Sequence, residues 1–536
     1  MTLAAFLEHW SMFENPFKGE EARQDPVLTR LSAIPDGTPV ARPVAGIPRP
    51  GSRVQHPDFE KIVGDFSRPA TAIVFGEKGS GKTAIRLQLA EHLAAYNAEH
   101  PKAQILLVPY DSLNELLDRY IARVLPTMKD KKATPADALK TIRLVDHLDG
   151  MLGQVVPHLI DAVLEVPARP ADKASLIELR PGPEGLKRKL RALDRGLKRD
   201  LLILQAVYDR DATAEERTIA LRRRLGLRRS WLVYVDAALA YFGWLMPLGV
   251  AALFWLYTNR EPEPVWYTSF FIALGIWLFF MLRRIWISRF VLGLAARRLR
   301  KQLRTLDRSE ASYLDTLDQL PASCRGHQIL PLTSSDDRRY AMIDRLKRVL
   351  APFGYSGAVV VVDRLDEPTS IAGDPERMRS VAWPLLNNKF LQQEAIGVKL
   401  LLPIELRHLL FRESSAFFQE ARLDKQNLIE RLAWTGAMLY DLCTARLNAC
   451  RPAGAQPVSL KDLFGEDVTR EDLVDTLDQM HQPRDVFKLL YQCMSEHCSN
   501  TTSDQASFRI PKPVLDMVRK QQTERMRQLY MGVRPA

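Results

Sequence analysis

The chain has 536 residues, a formal charge of +11 and an isoelectric point near 9.3. A length prior of roughly 100 to 200 residues per domain gives three or four units, large enough to need neither disulfide nor metal staples. Five scattered cysteines, Cys324, Cys443, Cys450, Cys493 and Cys498, exclude a disulfide framework and predict reduced thiols in a cytosolic body. Cys493 and Cys498 flank His497 but lack the second ligand pair that zinc-site spacing requires.

The first ten residues have no basic leader, long apolar core or small-residue cleavage site, which predicts no secretory signal peptide. Thr71-Ala-Ile-Val-Phe75 is a short β-branched apolar run and reads as a buried parallel strand. It feeds into Gly76-Glu77-Lys78-Gly79-Ser80-Gly81-Lys82-Thr83, after which Ala84 opens a run with Ile85, Leu89 and Leu93 at helical spacing. Strand, glycine loop and helix in that order form a phosphate-binding loop. The glycines let successive amides turn toward phosphate oxygens, and the positive end of the helix adds to their pull. Lys82 is placed to bridge β- and γ-phosphates, and the Thr83 hydroxyl to ligate magnesium. Residues 76–84 are therefore the expected ATP-binding segment. A second strand, Gln104-Ile-Leu-Leu-Val108, leads to Pro109-Tyr110-Asp111.

Prolines at 167, 170, 181 and 183 break the chain before two leucine-periodic stretches. Leu186, Leu190, Leu193, Leu197, Leu201 and Leu204 form one, and Leu299, Leu303, Leu306, Tyr313, Leu317 and Leu320 the other. Both predict amphipathic helices with a narrow seam, able to pair as an antiparallel stalk. Between them lie two uncharged runs, 237–257 and 265–282, about 21 and 18 residues long, which as helices span roughly 30 and 27 Å. Trp231, Tyr234, Trp255, Tyr257, Trp266, Tyr267 and Trp286 mark their ends. The connecting loop 258–264 is short and slightly acidic. Arg222, Arg223, Arg224, Arg228 and Arg229 precede the first run, and Arg283, Arg284, Arg289, Arg297, Arg298, Arg300, Lys301 and Arg304 follow the second. By the positive-inside rule this is a two-pass hairpin in an inner or plasma membrane, with both termini cytoplasmic and anionic lipid of the cytoplasmic leaflet as a partner. The competing reading is a pair of buried core helices. Asp236, at the edge of the first run, reads as an interfacial or capping residue, or as an intramembrane carboxylate.

Gly357-Ala-Val-Val-Val-Val-Asp363 is a further buried strand, and Asp363 at its end is expected to hold magnesium together with Thr83. Arg364 stands where a second acid is expected, so the task of orienting water passes to Asp366 or Glu367; both also read as the start of a helix before Pro368. Val398-Lys-Leu-Leu-Leu402 precedes Pro403-Ile-Glu405, where Pro403 cannot sense a γ-phosphate and Glu405 is the substitute. The chain beyond is expected to be helical over 409–420, 426–446, 470–480 and 485–496. Arg407, Arg412 and Arg422 are either trans-acting fingers in a homo-oligomer or solvated surface arginines.

With its apolar hairpin between the glycine loop and the acidic strand, the chain resembles the KAP family of P-loop NTPases, over roughly residues 10–125 and 335–500. Asp363-Arg364-Leu365-Asp366-Glu367 matches the first, third and fourth positions of that family's D-D-L-D-R ending. Phe13-Glu-Asn-Pro-Phe17, with Asp25-Pro26, is similar to the opening of ExeA-type AAA ATPases; the resemblance implies that Asn15, Pro16 and Phe17 lie at the base, an ordinary N-terminal turn being the alternative. Gln482-Pro-Arg-Asp485 resembles the P-R-D element of their helical lid, which implies that Arg484 reaches the γ-phosphate, or else caps its helix.

The fold expected is an α/β P-loop NTPase of AAA or STAND type, a parallel sheet interrupted by stalk and hairpin and followed by a helical lid. The divisions are 1–125, 126–229, 230–285, 286–330, 331–405 and 406–536. The function expected is a membrane-anchored ATPase, of a signalling or defence kind, that couples nucleotide state to the hairpin through an unknown protein partner. A nucleotide-binding scaffold with little turnover and a soluble DNA-associated ATPase are the alternatives, nucleic acid being the least favoured partner.

Overall fold

The computed structural model describes residues 1–19, 21–32, 55–167, 177, 179, 183–210, 213–227, 231–257, 264–283, 289–326, 328–452, 454–502 and 507–530. Two compact units are present, one built from Met1–Leu113 with Gly357–Ala536 and the other from Asn114–Ser356.

The discontinuous unit is α/β. Its five strands, β1 (Ala72–Gly76), β2 (Gln104–Tyr110), β3 (Tyr355–Val362), β4 (Ile396–Pro403) and β5 (Asn427–Ile429), form a parallel sheet in the order β2-β3-β4-β1-β5. β1 and β4 are buried along their whole length, as their near-continuous apolar sequences require of strands covered on both faces. The register is fixed by Ala72 opposite Lys399 and Gly76 opposite Pro403, with Ala358 opposite Ile396 on the other side of β4. Ile85, Leu89 and Leu93, from the helix Lys82–Glu99, pack on Val74, Ile105, Val359, Val361 and Leu401.

Helices at the two chain ends share a second core. Phe6 from Leu3–His9 packs with Leu439, Cys443 and Leu447 from Gly436–Ala449, and with Val486, Leu489 and Cys493 from Pro483–Asn500. The helix expected over 426–446 is corrected by β5. Asn427, Leu428 and Ile429 pair with Ala72, Ile73 and Val74, so the edge of β1 captures them, and the helix begins only after Thr435, whose side chain accepts from Met438 N.

The unit Asn114–Ser356 is helical. Its centre is Leu144–Leu164, buried from Leu144 through Leu152 and again at half of the positions beyond. Arg195–Tyr208, Ala214–Arg224 and Asp336–Leu350 pack against it. The expected stalk helices are both divided. Asp194 caps Arg195–Tyr208 by accepting from Gly196 N at 2.7 Å, and separates it from Pro183–Ala192. Ser309 likewise caps Glu310–Gln319, which folds back on Arg289–Gln302. Every residue from Asp200 to Tyr208 is buried, so this part of Arg195–Tyr208 is enclosed on every side and is not a narrow-seamed stalk.

The two apolar runs also differ from expectation. The first is divided at Gly243 and Trp244 into Trp231–Phe242 and Leu245–Tyr257, of 12 and 13 residues. At 1.5 Å per residue these are about 18 and 20 Å long, against roughly 30 Å of hydrocarbon. The second run forms Pro264–Met281, of 18 residues, whose Trp277 packs at the break and donates to Ala240 O at 3.3 Å. Among the described residues no helix is long and apolar enough to cross a membrane. The two-pass localisation, with both termini cytoplasmic, is corrected accordingly. The helices pack as a small group and leave Trp255, Phe271 and Phe279 exposed. Arg228, Arg229, Arg284, Trp286 and residues 258–263 of the acidic loop lie outside the described residues, as do 168–170, 181 and 182 of the proline-marked breaks.

Much of the basic charge in this unit is consumed internally. Arg304 grips Asp146 with two hydrogen bonds of 3.0 and 2.7 Å, Arg217 joins Asp161 and Asp209 at 2.7 and 2.9 Å, and Arg348 meets Asp200 at 2.8 Å.

Candidate nucleotide site

The candidate site lies within the α/β unit, at the carboxyl ends of its strands, where open parallel sheets bind ligands. β1 ends at Gly76 and the helix starts at Lys82, so the loop between must turn sharply. Gly79 and Gly81 do this with φ near +100° and +99°, a region costly for side-chain-bearing residues. At Gly79 a Cβ would also stand 3.0 Å from the Arg484 Cβ, so the loop and the start of Pro483–Asn500 are in close approach. Lys82 Nζ donates to Gly76 O at 2.6 Å and to Glu77 O at 3.0 Å, folding its side chain back over the loop. Burial draws the Lys82 ammonium below its usual range, opposed by the carboxylates of Asp366, Asp363 and Glu405.

Thr83 and Asp363 lie 280 positions apart and meet here, the Thr83 hydroxyl donating to Asp363 Oδ2 at 3.1 Å. Asp363 follows the end of β3, and its Oδ1 accepts from Arg364 N at 2.9 Å. Burial raises its carboxyl above the usual range, while Arg86, Thr83 and Lys82 pull it down. A hydroxyl and a carboxylate converging beside a phosphate cradle fit magnesium, a hard cation that takes one or two protein oxygens and completes its shell with water and phosphate. Thr83 and Asp363 are the residues that would hold it.

Arg364 adopts φ +62°, a left-handed conformation unfavourable for a side chain of its size, directly after the acid. Its Nε donates to Glu367 Oε1 at 2.5 Å, so Glu367 is held by its neighbour and is exposed. Asp366 is half-buried and acts electrostatically on Lys82. Of the two expected water-orienting acids, Asp366 is the one directed at the loop.

The cavity is walled by the loop residues Glu77, Lys78, Gly79, Gly81, Lys82, Thr83 and Ala84, by Asp363, Arg364, Asp366 and Glu367, and by Arg484 from the helical part. Leu28, His56, Trp434, Leu442 and Phe487 also line it, apolar or aromatic surface suited to a base. Trp434 Nε1 donates to Ser80 O at 2.8 Å, and His56 meets the indole edge-on at 5.0 Å. Glu77 is tied to Gln482 and, at 2.8 Å, to Arg431. Asn15, Pro16 and Phe17 do not line the cavity, which corrects their expected place beside the base. Phe17 stacks on the far side of Phe487 at 6.1 Å, and Pro16 O accepts from Arg446 Nε at 2.8 Å. Phe17 belongs to the helical core instead.

Arg86 and Trp434 carry no motif and are not marked in the sequence. Arg86 follows Lys82 by one helical turn, the spacing that puts both on one face. Its NH1 donates to Asp111 Oδ2 at 2.7 Å, and its Nε stands 3.3 Å from Asp363 Oδ2. Among the expected finger arginines, Arg407 is held by Glu430 at 2.6 Å and lies over Phe411, Arg422 caps a helix, and Arg412 is exposed. His497 is bonded to Ser507 O at 2.7 Å, and Cys493 and Cys498 are buried free thiols.

Compared with protein families, curated proteins and solved structures, the chain matches none of them. The site is therefore read from its own geometry.

Proposed function

We propose that the α/β unit binds ATP with magnesium at Gly76–Thr83, and that hydrolysis or exchange of the nucleotide resets the contacts between this loop and the helix Pro483–Asn500. The observation that carries the reading is the convergence of Lys82, Thr83 and Asp363 from opposite ends of a 280-residue separation. Such sites work by positioning and charge stabilisation, which a buried lysine, a hydroxyl and a carboxylate supply. Glu77 gives the loop a mechanical link, since its partner Gln482 caps the helix Pro483–Asn500 and its partner Arg431 follows β5. Arg484 lines the same cavity, and its fixed planar cation suits contact with a third phosphate.

A second reading, a nucleotide-binding scaffold with little turnover, draws on the Arg364–Glu367 pair, which occupies one of the two acids expected to orient water. The membrane hairpin that made the KAP resemblance specific is supplied by no described helix, so neither reading leans on that family.

Calorimetric titration with ATP, with phosphate release followed in the same samples, tests the proposal. Lys82→Ala is expected to weaken binding by at least about tenfold, removing 1.4 kcal/mol or more of phosphate contact. Unchanged affinity in a folded Lys82→Ala protein would overturn it. Binding without measurable phosphate release in the wild type selects the scaffold.

A further inference from the structure

In a phosphate-loop site the strand-end carboxylate ordinarily faces the divalent cation. Here Asp363 already faces a cation of the chain's own. Arg86 Nε stands 3.3 Å from Asp363 Oδ2, the same oxygen that receives the Thr83 hydroxyl, while Asp363 Oδ1 is occupied by Arg364 N. The other arm of the guanidinium donates to Asp111 Oδ2 at 2.7 Å, just beyond β2, the strand next to β3. The Asp363 side chain is 1% exposed, and those of Arg86 and Asp111 are 10% exposed. Solvent therefore screens little of this charge, and the pair is rigidly placed by the helix Lys82–Glu99 and the sheet.

Resting on the nucleotide reading above, we propose that Arg86 is a built-in counter-cation for Asp111 and Asp363, and that magnesium held at Thr83 and Asp363 consequently adds little to the affinity for ATP. The argument is one of charge. Asp111 and Asp363 lie on adjacent strand ends and share Arg86, and Arg23 also pairs with Asp111, so the drive to recruit a further cation to Asp363 is reduced before nucleotide arrives. Where a bare carboxylate would couple metal and nucleotide strongly, a neutralised one couples them weakly. The coupling is reciprocal, so it can be read from nucleotide affinity alone. Arg86 acts as a positioning residue through Asp363 and is not assigned any contact with phosphate.

The test is equilibrium binding of a non-hydrolysable ATP analogue to the full chain, with magnesium and then with a chelator. Wild-type affinity is expected to change by less than about threefold on chelation, and in Arg86→Gln, where Asp111 and Asp363 lose their shared charge, by more than about tenfold. Arg86→Lys, which keeps the charge, is expected to behave nearly as the wild type does. A wild-type affinity that collapses on chelation would overturn the inference while leaving ATP binding intact, and it needs no variant to be folded. An Arg86→Gln ratio equal to that of the wild type would overturn it equally. Absence of binding with and without metal would remove the nucleotide reading itself, and this inference with it.

Discussion

Lys399 lies in the middle of β4 at 1% exposure, opposite Ala72, and its ammonium meets carbonyls alone: Val63 O at 2.9 Å and Ala70 O at 2.7 Å. Burial lowers its pKa from the ordinary 10.5 to about 8. Between those values the unfolded chain holds the proton that the folded chain has released, so stability rises with pH across that window. The cost relieved is roughly 3 kcal/mol at its largest. In Lys399→Met the rise should disappear, and urea-unfolding midpoints of wild type and variant, compared at pH 8 and pH 10, measure it. Parallel behaviour of the two proteins would contradict the placement. The sequence displays Lys399 only as an interruption of an apolar run. Residues whose chemistry is fixed by spacing, such as Lys82 and Thr83, were legible; Arg86 and Trp434 take their roles from partners distant in sequence and were not.

Strands and the loop helix followed from local pattern, because β-branched runs ending at glycine or aspartate have few other folds. β5 did not, since three residues carry no periodicity and only the free edge of β1 makes them a strand. The stalk and the apolar hairpin failed for one common reason. Period and length describe a helix alone, whereas packing decides where it stops, and caps at Asp194 and Ser309 divide what the leucine rhythm joined. In the central helix Leu144–Leu164, a buried charge replaces apolar packing. Arg339 grips Asp149 through Nε at 3.2 Å and NH2 at 3.0 Å, and Tyr208 donates to Asp149 at 2.9 Å. Burial outweighs these partners and raises the Asp149 carboxyl to about 6. Arg339→Met should destabilise the chain by about 3–5 kcal/mol, as a charge left alone in a core does, and adding Asp149→Leu should restore much of the loss. Chemical denaturation of the single and double variants checks this; equal instability in both would contradict it.

At the scale of the whole chain, the α/β unit is interrupted after Leu113 and resumes at Gly357, with a self-contained helical unit between. The long separation between the glycine loop and the acidic strand is therefore an insertion into one α/β unit. Both halves of the candidate site were legible because each ends a buried strand. The nature of the insertion was not, because apolar runs serve packed helices and membrane spans alike. The claim that the two halves make one nucleotide site is tested most directly by photolabelling the full chain with 8-azido-ATP and mapping the labelled peptides. Label competed by ATP should fall on the apolar lining of the cavity, in peptides carrying Leu28, Trp434, Leu442 or Phe487. Label confined to peptides from Asn114–Ser356, or label that ATP does not displace, would contradict it.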